Sequence, residues 1–474
     1  MKKIYFLYLP ALLLLAQAAL AQDKALITGK IAKPLSEEVV LALHPNPMLP
    51  EEVELTAVLQ NGEFRLEVPL TGAIVAELQH GDEVVPVYLE PGSQLHLTCN
   101  GDKFLKTIRY EGKGANENNY LAQYTRRFDE VEDYQVLPDN IKLKEKEFTA
   151  FLDYRRQDQL KNLDKYGAQH PIAATFRDLA VAEIDFSYAS DKITYEPLRE
   201  HILMTERLEK PSAAFYAFLD KLDVNKPENL LSPAFIGFLR NYVAYYTQEA
   251  GYTQSSKPYY KASYDVAAQK LQGRARALAQ AYVLEQSIQK GYLPYTEEML
   301  QDFGGHYPDA AVNAYFTKLY DAHKQFAIGS LAPDLQLQDV NGDSVALRSF
   351  KGKLVYLSFW RTDCGLCMVE QPHLQDLTNR MKGKGLVFVN ISLDKDENAW
   401  RKAVTSRGLE GEQLYLKDTD GALAQQYGLQ EMPAYFLLDE EGRFLSITAR
   451  RPTDHELVTD IQRYLNTGQA SATK

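Results

Sequence analysis

Cysteine is scarce in this 474-residue chain, at three residues, and tryptophan scarcer still, at two. Three cysteines cannot build a disulfide-stapled framework or a four-cysteine zinc site. The chain also lacks an excess of positive charge: 52 Lys and Arg stand against 64 Asp and Glu, a formal net charge of −12. An acidic surface repels phosphate backbones, so nucleic acid is excluded as the expected partner. Long apolar runs are absent beyond the N-terminus, where the longest is interrupted and shorter than the ~20 residues of a membrane-spanning helix. No internal repeat, low-complexity tract, HExxH pair, P-loop, Gly-x-Ser-x-Gly or dinucleotide Gly-rich loop is present.

What is present begins with an export signal. Lys2 and Lys3 precede an apolar stretch from Ile4 to Leu15, and Ala19-Leu20-Ala21 supplies a small-x-small cleavage site. Residues 1–21 are expected to be removed, leaving Gln22 as the first residue of a periplasmic protein that does not span the membrane. A paired cysteine motif in that oxidising compartment needs a chemical explanation.

Hydrophobic periodicity then divides the chain into three. Residues 22–111 alternate in short runs, such as Val39–Leu43, Phe64–Val68 and Leu95–Cys99, separated by turn signals including Asn61-Gly62 and Pro91-Gly92. Some eight short strands in an antiparallel sandwich or barrel follow. Cys99, on the face of Leu95 and Leu97, reads as a core residue. Residues 112–327 carry a helical period: Leu239, Tyr242, Val243 and Tyr246 share one face. Pro171, Pro211, Pro233, Pro258 and Pro294 are expected to cut this region into helices of ordinary length. In residues 328–474 strands and helices alternate. Asn341-Gly342 marks a hairpin, and the apolar runs Leu354–Trp360 and Leu386–Ile391 read as strands covered on both faces, an α/β fold.

The chemistry concentrates at Cys364-Gly365-Leu366-Cys367, directly after the Leu354–Trp360 run and at the start of the next helix. Three cysteines adopt this spacing in only about 1% of random placements. A helix N-terminus stabilises an anion and lowers a cysteine's pKa, and the thiolate is the nucleophile. The second cysteine, one turn on, can close a disulfide. A structural disulfide and half of a metal site remain alternatives; no metal and no cofactor are expected.

Around this pair the sequence resembles the TlpA/ResA-like thiol–disulfide reductases over about 145 residues. The resemblance is carried by Ala332-Pro333, Gly352-Lys353, Phe359-Trp360, Thr362, Cys364, Cys367, Glu370, Pro372, Leu374, Asp394, Gly428 and Met432-Pro433. Asp363 and Leu366 depart from the tryptophan and proline usual at those positions. The β-rich region, with Gly62-Glu63-Phe64, Tyr88-Leu89 and Pro91-Gly92, resembles an accessory domain that precedes such thioredoxin domains. The resemblance implies a thioredoxin fold at the C-terminus and catalysis by Cys364 and Cys367. It further implies that Glu370 accepts the buried thiol's proton, and that Pro433 is cis and faces the cysteines. Trp360, Met432 and Pro433 would then bind substrate. Disulfide-containing client proteins and a membrane electron donor, such as a thiol-relay protein, are the implied partners. Two rival classes share the fold, a peroxiredoxin-type peroxidase and a copper chaperone using His455, and a third is a non-catalytic scaffold built on the β and helical regions.

Overall fold

The computed structural model describes residues 24–136, 138–203, 208–254, 256, 258–417, 427, 429 and 431–471. The export signal and Gly428 lie outside them. The chain divides into two compact units, one running up to Thr253 with Asp265–Tyr282, the other comprising Gln254–Tyr264 and Val283 onward.

In the first unit the alternating runs form eight strands: β1 (Lys24–Ala32), β2 (Glu38–Leu43), β3 (Val53–Val58), β4 (Glu63–Pro69), β5 (Ile74–His80), β6 (Glu83–Leu89), β7 (Gln94–Asn100) and β8 (Arg109–Lys113). They make two four-stranded sheets, ordered β4-β1-β7-β8 and β3-β2-β5-β6. Every second residue of β4 is buried, the period-2 signature of a half-covered strand. Ile27, Leu41, Leu66, Val87 and Leu97 share one core. Asn61 and Gly62 both take positive φ, 54° and 81°, as a tight turn at the head of β4 requires. Gly29 sits where a Cβ would meet the Phe64 ring at 2.5 Å, so the β1–β4 pairing tolerates no side chain there.

Helices α1 (Ala115–Tyr124), α2 (Glu145–Gln169), α3 (Ala174–Leu203) and α4 (Pro233–Glu249) complete most of that unit. Ser232 caps α4 and Pro233 opens it, the position where proline's missing N–H costs nothing. Leu239, Tyr242 and Val243 are buried along α4. Proline punctuates less than the sequence suggests: Pro197 lies inside α3, which runs for 30 residues. The buried aromatic face of α3, with Phe176, Phe186 and Tyr195, holds the helix through a proline that removes one backbone donor.

The second unit gains α7 (Thr296–His306) and α8 (Ala310–His323), reached through α5 (Tyr259–Lys270) and α6 (Gly273–Gln289). It is then built on a seven-stranded sheet ordered β10-β9-β13-β12-β11-β14-β15. Its strands are β9 (Gln336–Gln338), β10 (Ser344–Ala346), β11 (Leu354–Trp360), β12 (Leu386–Ser392), β13 (Glu412–Tyr415), β14 (Ala434–Leu438) and β15 (Phe444–Ser446). All seven residues of β11 are buried, as a central strand covered on both faces must be. Helices α9 (Gly365–Met381), α10 (Glu397–Arg407) and α11 (Leu457–Ser471) belong to the same α/β fold. β11 runs parallel to β12 and antiparallel to β14, with Ser358 opposite Tyr435 and Phe359 opposite Ala434. That register carries Pro433 to the level of Trp360, at the strand end from which the cysteine motif departs.

Candidate active site

β11 ends at Trp360, and four residues later the chain turns into α9 with Cys364 as its N-cap. Cys364 and Cys367 are disulfide-bonded, their Cα atoms 5.2 Å apart. The Cys364 sulfur also accepts from the Cys367 backbone N–H at 3.1 Å. Cys364 is half-buried and Cys367 buried at 1% exposure. The two sulfurs are therefore unequal: the outer one meets solvent, faces a helix N-terminus and already has an N–H donor.

The approach to the cysteines is tied to the sheet. Asp394, just past β12, is buried; its Oδ1 accepts from the Thr362 N–H at 2.9 Å and the Thr362 hydroxyl at 2.6 Å. Its Oδ2 accepts from the Ser392 hydroxyl at 2.7 Å. This clamp fixes the loop two residues before Cys364. Asp363 forms a two-pronged ion pair with Arg361, each bond 2.8 Å, which offsets the negative charge beside Cys364. On β11, Ser358 donates to Asn390 Oδ1 at 2.7 Å in the core.

Glu370 sits one turn beyond Cys367 and is buried, not a solvated helix-surface side chain. Its carboxylate accepts from the Thr453 N–H at 3.1 Å and the Thr453 hydroxyl at 2.9 Å. Its charge reaches across to β14: burial first, and Glu370 second, hold the Tyr435 hydroxyl well above the usual phenol range.

The expected substrate-binding residues part company. Met432 and Pro433 are half-buried and accessible, and the peptide bond between them is cis. Met432 packs with Cys364 against the cluster of Trp360, Cys367, Trp400, Val404 and Tyr415. Trp360 is the correction. At 1% exposure its indole is packed with Cys367 in one buried cluster; a strand residue covered on both faces has no free surface to offer. Two exposed apolar side chains lie beside the cysteine pair instead, Leu366 at 40% and Val369 at 58%. They lie three residues apart on α9, on one face, and a leucine inside the motif was their signal. His373 is exposed on α9, and Cys99 is buried in the β core, its thiol pushed up to about 12 chiefly by desolvation.

The Redoxin family model matches residues 327–461. The thiol–disulfide oxidoreductase ResA of Bacillus thuringiensis subsp. konkukian is 30% identical over 143 residues, covering 30% of this chain and 79% of that protein. ResA of Oceanobacillus iheyensis is 31% identical over 161 residues, covering 33% of this chain and 81% of its own length. The chain belongs to the TlpA/ResA-like family of thiol–disulfide oxidoreductases. Thiol–disulfide exchange is the chemistry of this family. Among solved structures, the thioredoxin domain of a thiol–disulfide oxidoreductase from Bacteroides vulgatus is 32% identical over 29% of this chain and 98% of that one, with a TM-score of 0.28. Among the described residues of this family member, no helix is long and apolar enough to cross a membrane.

Proposed function

We propose that this protein is exported to the periplasm and reduces disulfides in client proteins through Cys364 and Cys367. The observation that carries the reading is the asymmetry of the bonded pair: an outer sulfur half-open at a helix N-cap and an inner one buried. The reduced Cys364 thiolate attacks one sulfur of a client disulfide, forming a mixed disulfide and expelling the client's other sulfur as a thiolate. Cys367, giving its proton to Glu370, then attacks the Cys364 sulfur. This closes the Cys364–Cys367 bond and releases the client with both cysteines reduced. Two electrons have passed to the client, and a membrane thiol donor returns the enzyme to its dithiol form. No cofactor takes part.

The client segment lies along Met432-Pro433, whose backbone pairs with an extended strand, and against Leu366 and Val369. Export rests on the N-terminal leader, Lys2 to Ala21, and the β-rich domain serves as an accessory to the thioredoxin domain. The test is trapping. Cys367→Ala removes the resolving thiol, and clients are expected to accumulate covalently on Cys364 and to be released by dithiothreitol. Recovery of no mixed disulfide from periplasmic extracts of cells in which the wild type is active overturns the reading.

A further inference from the structure

The first unit holds a cavity of about 170 Å³ that has no part in thiol exchange. Its walls come from four places in the chain: Val75 and Pro86 on β5 and β6, Leu121 and Tyr124 on α1, Phe176 and Glu183 on α3, and the turn that follows α1. That turn, Thr125–Asp129, is π-helical, with the Glu130 N–H donating to the Thr125 carbonyl at 3.0 Å. Such turns widen a helix by one residue and recur at functional sites; here the turn brings both Thr125 and Asp129 to the cavity wall.

The lining is apolar and aromatic except for hydroxyls and two carboxylates, Asp129, which is exposed, and Glu183, which is half-buried. No lysine or arginine is among the described residues that line it. Glu183 Oε2 accepts from the Ser232 hydroxyl at 2.6 Å and the Ala234 N–H at 3.1 Å. Those bonds hold the carboxylate in place at the cavity wall. Desolvation, opposed by a hydrogen bond from Thr125 and reinforced by the Glu183 charge, lifts the Asp129 carboxyl to about 6, and burial raises the Glu183 carboxyl as well. The other charges that reach Asp129 are Glu130, which adds to the rise, and Arg155, which opposes it. Arg155 is engaged with Asp191, so it does not neutralise the pair.

An apolar cavity of about this size accommodates a benzene-sized group. Aromatic faces and unneutralised carboxylates both favour a cation. We propose that this cavity is a binding site for a small organic ammonium ion carrying an apolar group the size of a phenyl ring, its charge held between Asp129 and Glu183.

Benzylammonium is the probe, with benzyl alcohol as its neutral isostere, and calorimetry on the full-length protein as the measurement. Benzylammonium is expected to bind and benzyl alcohol to bind at least about tenfold more weakly, the value of a charge-assisted hydrogen bond. Asp129 must be ionised, so affinity rises about tenfold from about pH 5 to about pH 7.5, through the raised carboxyl value. Asp129→Asn weakens benzylammonium binding and reduces its pH dependence, and Ala180→Leu, on the cavity wall, abolishes binding by filling the space. The Asp129 side chain is hydrogen-bonded only within its own turn, to Thr125, a bond asparagine can keep, so its variant keeps the test interpretable where Glu183→Gln disturbs the start of α4. Absence of benzylammonium binding, equal binding of both probes, or an Asp129→Asn variant with unchanged affinity and pH profile each overturns the proposal.

Discussion

At the scale of single residues, the three cysteines have three different environments. Cys99 is buried in the β core with its thiol pushed up to about 12; such a group is neutral at physiological pH and inert. The fully reduced native protein is therefore expected to titrate two thiols with Ellman's reagent, the third reacting only after denaturation. Glu370 is the other residue whose setting makes a prediction. Glu370→Gln keeps an acceptor for Thr453 while removing the proposed proton acceptor. Resolution of the mixed disulfide is expected to slow about 10²-fold, the scale of a lost general base. Formation of that mixed disulfide on Cys364 should be unchanged, and the melting temperature should fall by no more than about 4 °C. Stopped-flow measurement of both steps with a disulfide peptide separates this from a purely structural role, which would leave the two rates in their original ratio.

At the scale of elements, the site is a junction: the end of β11, the start of α9, the loop after β12 and the head of β14. The Asp394 clamp is the joint that the sequence hides. Asp394 is visible as a family feature, but its partner Thr362 lies 32 residues away, and no local pattern announces so distant a bond. Asp394→Ala leaves the Thr362 N–H without its acceptor, so it is expected to cost about 1–3 kcal/mol. Loosening the N-cap should also slow alkylation of Cys364 at neutral pH, with Asp394→Asn giving partial rescue of both.

Other elements were legible for a plain reason. Period-2 alternation is imposed by a half-covered sheet and uninterrupted apolar runs by a central one, so β4, β11 and β12 stand out in the sequence. The Asn61-Gly62 turn is equally local. Tertiary packing decided the rest. Pro197 is carried inside α3, Trp360 is covered on both faces, and the short strand β15, three residues long, has too little sequence to declare itself. The Glu370 bonds to Thr453 span 83 residues, again beyond local pattern.

At the scale of the whole molecule, redox chemistry is confined to one end of a long chain. The Redoxin match falls on residues 327–461, while the eight-stranded sandwich and α1 to α4 precede it. With Cys99 inert, a Cys364→Ala/Cys367→Ala double variant is expected to lose all thiol exchange while keeping its secondary structure and its melting transition. Activity and circular dichroism on the same preparation check this. A scaffold whose β and helical parts do the work would retain its cellular function in that variant.

Both tryptophans of the chain, Trp360 and Trp400, are buried in the one cluster that contains Cys367. Disulfides quench excited indoles at short range, so the tryptophan emission of the protein, selected by excitation near 295 nm, originates beside its cysteine pair. Emission is expected to brighten when the pair is reduced and to dim when it closes. The molecule thus carries its own optical gauge, with which its midpoint potential can be read against a glutathione series without any label.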